Sequence, residues 1–188
     1  MLKFLTILII LNFYNPAFSS DKDKIISQLK LTNILSFNFT QTIGEKKENG
    51  FCIIKYPKKI FCEYASSNKK IIVSNGKSLV IKIKNSGNYY IYPLKKTPLE
   101  FLLDKEYLIS KINDSEVRNI EDQFLTFKIF ENDNEINIFF GKKDFDLVGW
   151  QTKDIYQKIV ITFISSVKSN EKVDNKIFRL PVNNWLTI

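Results

Sequence analysis

The side chains that most often carry catalysis are scarce in this sequence. Histidine is absent from its 188 residues, which removes the usual general base, the Ser-His and Cys-His nucleophile pairs and the commonest zinc ligand. Two cysteines, Cys52 and Cys62, cannot build a four-cysteine metal site. Hydrolysis by a Ser or Cys nucleophile, or by carboxylates such as Glu63 and Asp104, is disfavoured because there is no G-x-S-x-G elbow and no histidine to activate a nucleophile. The expectation is a protein that is not an enzyme and needs neither metal nor cofactor.

The charge is no more specific. Formal net charge is +8, and all but two of the 28 basic residues are lysine, the exceptions being Arg118 and Arg179. Nucleic-acid readers lean on arginine for bidentate contacts to bases and phosphates. Here the lysines are dispersed, with no basic run longer than a pair, so they read as solvated faces and no nucleic-acid partner is expected. What remains is the chemistry of burial, in a chain that is 44% hydrophobic.

The start of the chain carries an export signal. Met1, Leu2 and Lys3 precede an apolar run from Phe4 to Tyr14, broken only by Thr6 and Asn12, and Asn15-Pro16 leads into Ala17-Phe18-Ser19. This is the charged, apolar and small-x-small order of a secretory signal peptide. A run this short, ending at Asn-Pro, falls below the roughly 20 apolar residues of a membrane span. Residues 1–19 are therefore expected to be removed, leaving one exported, soluble domain over 20–188, expected to be monomeric. No cysteine follows the apolar run, so a lipid-modified N-terminus is not expected.

The elements after the leader change period once. Asp21 to Leu35 reads as an amphipathic helix, with Ile25, Ile26, Leu29 and Ile34 at helical spacing. Beyond it the period is two: Phe37 and Phe39, then Leu79 to Ile83, Leu125 to Ile129, Ile136 to Phe140, Phe145 to Trp150 and Ile155 to Ile164. The breaks carry turn residues at Asn49-Gly50, Asn75-Gly76, Asn85-Ser86-Gly87-Asn88, 132–134 and Gly141-Lys142-Lys143-Asp144. Short breaks imply hairpins and an antiparallel sheet. Pro98, followed by Leu99, Leu102 and Leu103, looks like a proline-started helix with an apolar stripe.

Several strands are apolar on both faces, so something must cover the sheet. A sheet wrapped around two short helices would have a lined interior that is not completely filled, although a packed core explains the same residues and is the commoner outcome. Cys52 and Cys62 flank Tyr56-Pro57-Lys58-Lys59 and share a face with Ile54, Tyr56, Ile60 and Tyr64. A cross-strand disulfide and two buried free thiols both fit that placement.

Ser36 to Thr42 follow the first helix, and then come Gly50 to Tyr64, the Ile71-Ile72-Val73-Ser74-Asn75-Gly76-Lys77-Ser78-Leu79 hairpin, Thr97-Pro98-Leu99-Glu100-Phe101-Leu102-Leu103 and, near the end, Phe178-Arg179-Leu180-Pro181. In this order the segments resemble the LolA family of periplasmic lipoprotein carriers, with the Thr97 to Leu103 segment as its lid helix and the Phe178 to Pro181 segment as its closing strand. It implies an incomplete, half-open antiparallel β-barrel enclosing an apolar cavity, covered by the N-terminal helix and a short lid helix. It also implies a carrier that shields the acyl chains of lipoproteins, taken from an inner-membrane ABC release complex and passed to an outer-membrane acceptor. A related carrier of a glycolipid or phospholipid would share every feature. The acceptor of that pathway is itself a lipoprotein, so the missing N-terminal cysteine favours the soluble carrier.

On that reading the lipid-binding lining is Phe39, Ile54, Tyr56, Ile60, Cys62, Tyr64, Ile72, Leu79 and Ile81, with Leu99, Phe101, Leu102 and Leu103 from the lid. For each, an ordinary core position is the plain alternative. Tyr56 stands where many carriers place an arginine that latches the lid, Cys62 where the family usually has tryptophan and Asn75 where it has aspartate. Either the latch is rebuilt, or the cargo differs.

Overall fold

The computed structural model describes residues 20–66, 69–131, 134–154 and 157–181. The expected leader, residues 1–19, lies outside the described residues.

Helix α1 (Asp21–Leu31) begins at a capping box: the Ser20 hydroxyl accepts from the Asp23 N–H, and the Asp23 carboxylate accepts from the Ser20 N–H. It stops short of the expected Leu35. Thr32 is already extended, and Ile34 opens strand β1 (Ile34–Ile43). The strand puts Leu35, Phe37 and Phe39 on one buried face, which a helix would have splayed apart.

Five further strands follow as an antiparallel meander: β2 (Lys46–Lys55), β3 (Lys59–Tyr64), β4 (Lys70–Asn75), β5 (Ser78–Ile83) and β6 (Tyr89–Pro93). A lid segment then carries a single 3-10 turn (Leu94–Lys96), the short helix α2 (Leu99–Leu102) and helix α3 (Lys105–Asp114). The second meander is β7 (Arg118–Ile120), β8 (Phe124–Glu131), β9 (Asn134–Gly141), β10 (Leu147–Lys153) and β11 (Ile159–Ser169). Its last strand pairs with β1, giving one eleven-stranded sheet in the order β6-β5-β4-β3-β2-β1-β11-β10-β9-β8-β7. The sheet is an open half-barrel, and its two edges, β6 and β7, are the strands joined by the lid segment.

Several expectations are corrected. Asn49-Gly50 is no turn but lies inside β2; the hairpin turns at 44–45 instead. Gly50 faces Phe39 on one neighbour and Tyr64 on the other, and a Cβ there would sit 2.6 Å from the Phe39 ring. The glycine is in the strand so that those two rings can meet across it. Helix α3 was not among the expected helices, although Asp104 caps it by accepting from the Tyr107 N–H and Leu108, Ile109 and Ile112 form its buried stripe. Strands β6 and β7 were also unforeseen. Phe145 sits in the loop before β10, not in the strand, and β11 runs from Ile159 to Ser169, well past the expected Ile164. The Phe178-Arg179-Leu180-Pro181 segment forms no strand among the described residues: Phe178 ends a 3-10 turn packed against β3 and β4. Ile71, Val73, Val80 and Phe178 are buried yet lie outside the main core cluster, so this turn is what allows β4 and β5 to be apolar on both faces.

Helices α1 and α3 pack into one end of the concave face and cap each other. The Lys105 ammonium donates to the Lys30 and Thr32 carbonyls at the end of α1, and Lys22 donates to the Asn113 and Ser115 carbonyls at the end of α3. Each supplies a cation and donors where orphan carbonyls accumulate.

Candidate functional site: a half-filled concave face

The concave face is filled at the lid end and hollow beyond it. At the filled end Leu29, Ile54, Tyr56, Leu102 and Leu103 surround a void of about 10 Å³, and Tyr56 also borders a second void of about 20 Å³. Such spaces hold at most a water molecule. The other part of the concave face is a cavity of about 450 Å³, open on one side. That is the size range of small-molecule sites, roughly 300–1,000 Å³.

The cavity is graded along the strands. Toward the lid its wall is Ile60, Leu79, Leu99 and Trp150; toward the hairpin tips it becomes Gln41, Thr152, Thr162 and Lys70. The polar end is internally bonded. The Gln41 amide donates to the Thr162 hydroxyl at 3.1 Å, and the Tyr64 hydroxyl donates to Gln41 at 3.2 Å. Lys70 lies 3.7 Å above the Tyr64 ring and bonds Glu48 at 2.8 Å. Burial pushes the Tyr64 hydroxyl above the ordinary phenol range, with the Glu48 charge adding to it. Burial also works to raise the Glu48 carboxyl, but hydrogen bonds from Lys70 and Lys46 outweigh it and hold it below the ordinary value.

Eight of the thirteen sequence-nominated residues border this cavity: Phe39, Ile60, Cys62, Tyr64, Ile72, Leu79, Ile81 and Leu99. Four others, Ile54, Tyr56, Leu102 and Leu103, border the small voids beneath the lid. Phe101 borders none of these spaces and instead packs on Tyr107, ring centroids 5.1 Å apart. Sequence reasoning missed the wall from the second meander, above all Trp150, Thr152 and Thr162. Their alternation is visible in the sequence, but the pairing of β1 with β11 that brings them across is not. Cys52 and Cys62 stand directly opposite each other, Cα atoms 4.1 Å apart, and form a disulfide in the cavity wall.

A latch joins the lid to the β2–β3 turn, and Lys58 makes it. Its ammonium reaches Glu100 at 2.6 Å and Asp104 at 3.2 Å, and its backbone N–H donates to the Leu103 carbonyl at 2.7 Å. The hydrogen bond to Glu100 is the main reason that the Lys58 ammonium holds its proton above the ordinary lysine value. Among the described residues no hydrogen bond joins the Tyr56 hydroxyl to the lid; that side chain is packed beneath it, and burial raises its pKa to about 12.

An open antiparallel half-barrel, plugged by helices at one end and hollow at the other, defines a scaffold for binding apolar molecules. No three or more Cys, Asp or Glu residues are grouped to hold a metal, and no helix is long and apolar enough to cross a membrane, among the described residues. Residues 30–181 match the family described as outer membrane lipoprotein carrier protein LolA, and the chain belongs to that family. Its members are periplasmic carriers, not enzymes. No curated protein sequence matches the chain. Among solved structures, an uncharacterized conserved protein from Thermus thermophilus is similar at TM-score 0.52 and 9% identity, over 86% of this chain and 95% of that one. This likeness shows the shared open-barrel fold. A LolA superfamily protein from Nitrosomonas europaea aligns at TM-score 0.46 and 9% identity, over 84% of this chain and 96% of that one. A chain of the Pseudomonas aeruginosa MucA/MucB complex aligns at TM-score 0.49 and 7% identity, over 85% of this chain and 60% of that one.

Proposed function

We propose that the cavity shields acyl chains of lipoproteins and that the protein ferries them across the periplasm, from an inner-membrane ABC release complex toward an outer-membrane acceptor. The observation that carries this reading is the 450 Å³ cavity, whose wall is apolar toward the lid and which opens to solvent. Acyl burial is worth about 0.8 kcal/mol per methylene. Complete enclosure of three chains of roughly 15 methylenes would gain on the order of 30 kcal/mol, beyond any reversible affinity. A cavity of this size without lid movement covers only part of such an anchor, which keeps hand-over possible.

The test is uptake of a lipoprotein from membrane vesicles, with mass spectrometry of what the purified protein retains. Leu102→Glu would not test the cavity mouth, because Leu102 is buried on the inner side of the lid helix and the charge would disturb the core. Ile81 is a better probe: it borders the cavity and is only half-buried. Ile81→Glu is expected to weaken acyl binding about tenfold, the scale of an unpaired charge opposite hydrocarbon, with the thermal midpoint of the lipid-free protein nearly unchanged. Undiminished uptake by this variant would remove the cavity from the function.

A further inference from the structure

Strand β6 ends the sheet beside the cavity, and its geometry is that of a template. The bonds Leu94 N–H to Lys77 O and Ile83 N–H to Asn88 O fix the alternation of the β5–β6 ladder, so Tyr90 and Tyr92 are the residues bonded to β5. The backbone groups of Tyr89 and Ile91 therefore point away from the sheet, and so does Pro93, which has no N–H to leave unmet. Tyr92 borders the cavity on the concave side, while Ile91, opposite Val80, is half exposed on the other face. Lys82, Lys95 and Lys96 flank the strand and make no ion pair among the described residues. The opposite edge, β7, is only three residues long and lines none of the three spaces described above.

We propose that β6 receives, as an added antiparallel or parallel strand, the extended acidic polypeptide that follows the acylated residue of the cargo; this rests on the cavity holding the cargo's acyl part. Tyr92 joins the two surfaces, so a chain leaving the cavity meets the edge at once. Main-chain bonds to Tyr89 and Ile91 would give affinity with little dependence on sequence, which suits a carrier of many cargoes. The flanking lysines select an acidic segment and oppose pairing of β6 with a second copy of itself.

The experiment compares a palmitoylated acidic octapeptide with palmitate on the full-length protein, by calorimetric titration and amide hydrogen exchange. Both ligands are expected to bind, but only the lipopeptide to slow exchange at Tyr89 and Ile91. Ile91→Pro, which removes an outward N–H as Pro93 does two residues on, is expected to weaken the lipopeptide about fivefold, the worth of one net hydrogen bond, and to leave palmitate unchanged. Binding of both ligands with no slowing at Tyr89 and Ile91, or an equal loss of both in the variant, would overturn the edge. Failure of palmitate itself to bind would instead overturn the acyl cavity, and the proposal with it.

Discussion

Gly50 shows how one missing side chain shapes the cavity wall. Phe39 and Tyr64 approach edge to face across it, centroids 4.8 Å apart, and both rings border the cavity. A Cβ at Gly50 would run into the Glu63 carbonyl and fall 2.6 Å from the Phe39 ring, so backbone as well as side chain must yield. Gly50→Ala is accordingly expected to cost about 1–3 kcal/mol, the scale of overpacking, read as a lower denaturant midpoint with an unchanged slope. The displaced Phe39 ring would also narrow the cavity, so acyl affinity should fall with stability. A variant as stable as the parent would show that the strand can bow away from the clash. The disulfide further along the same pair of strands, Cys52 to Cys62, needs no such accommodation, because the two residues are already directly opposed.

At the scale of elements Lys58 fastens the lid, and opening of the lid is expected to govern release. The pair with Glu100 and the contact to Asp104 are partly shielded, with the lysine 31% and the glutamate 20% exposed, so the latch is worth about 1 kcal/mol, the upper end for exposed pairs. Lys58→Ala should therefore raise the open population of the lid about fivefold, seen as faster exchange of the Leu102 and Leu103 amides and faster release of a fluorescent fatty acid. Equal release from both proteins would place the barrier elsewhere. Sequence order locates this lid through Pro98 and its leucines and marks Tyr56 as the place where the family's arginine would stand, leaving open whether the latch is rebuilt; the contacts that join turn and lid are made two residues on, by Lys58. Local patterning also marked most strands of both meanders, because their inward residues alternate. It could not reveal that β11 returns to β1, since that register joins residues more than a hundred positions apart. For that reason the nominated wall is one-sided: residues from β1 to β5 were found, and Trp150, Thr152 and Thr162 were not. Helix α3 was legible in Asp104 and the Leu108, Ile109 and Ile112 spacing, and β6 in an aromatic run ending at Pro93.

For the whole molecule, the topology explains why a hollow can persist. Two meanders meet at β1–β11 and leave β6 and β7 unjoined, so the sheet does not close upon its own side chains. The helices fill one end, and the remaining hollow forfeits packing that an occupant would restore. Occupancy must then appear as stability. A ligand at a hundred times its dissociation constant adds about 2.7 kcal/mol to the folded state. In a domain of this size each kcal/mol moves the midpoint by roughly 2–4 °C. Stripping bound lipid from the purified protein should thus lower its melting temperature by about 5–10 °C, and adding palmitate back should restore it. The same cycle applied to Ile81→Glu should show about half that span, because a site weakened tenfold gains only about 1.4 kcal/mol at the same ligand concentration. Identical midpoints for stripped and reloaded parent protein would mean that the hollow contributes nothing when filled, and that the acyl chains are carried elsewhere.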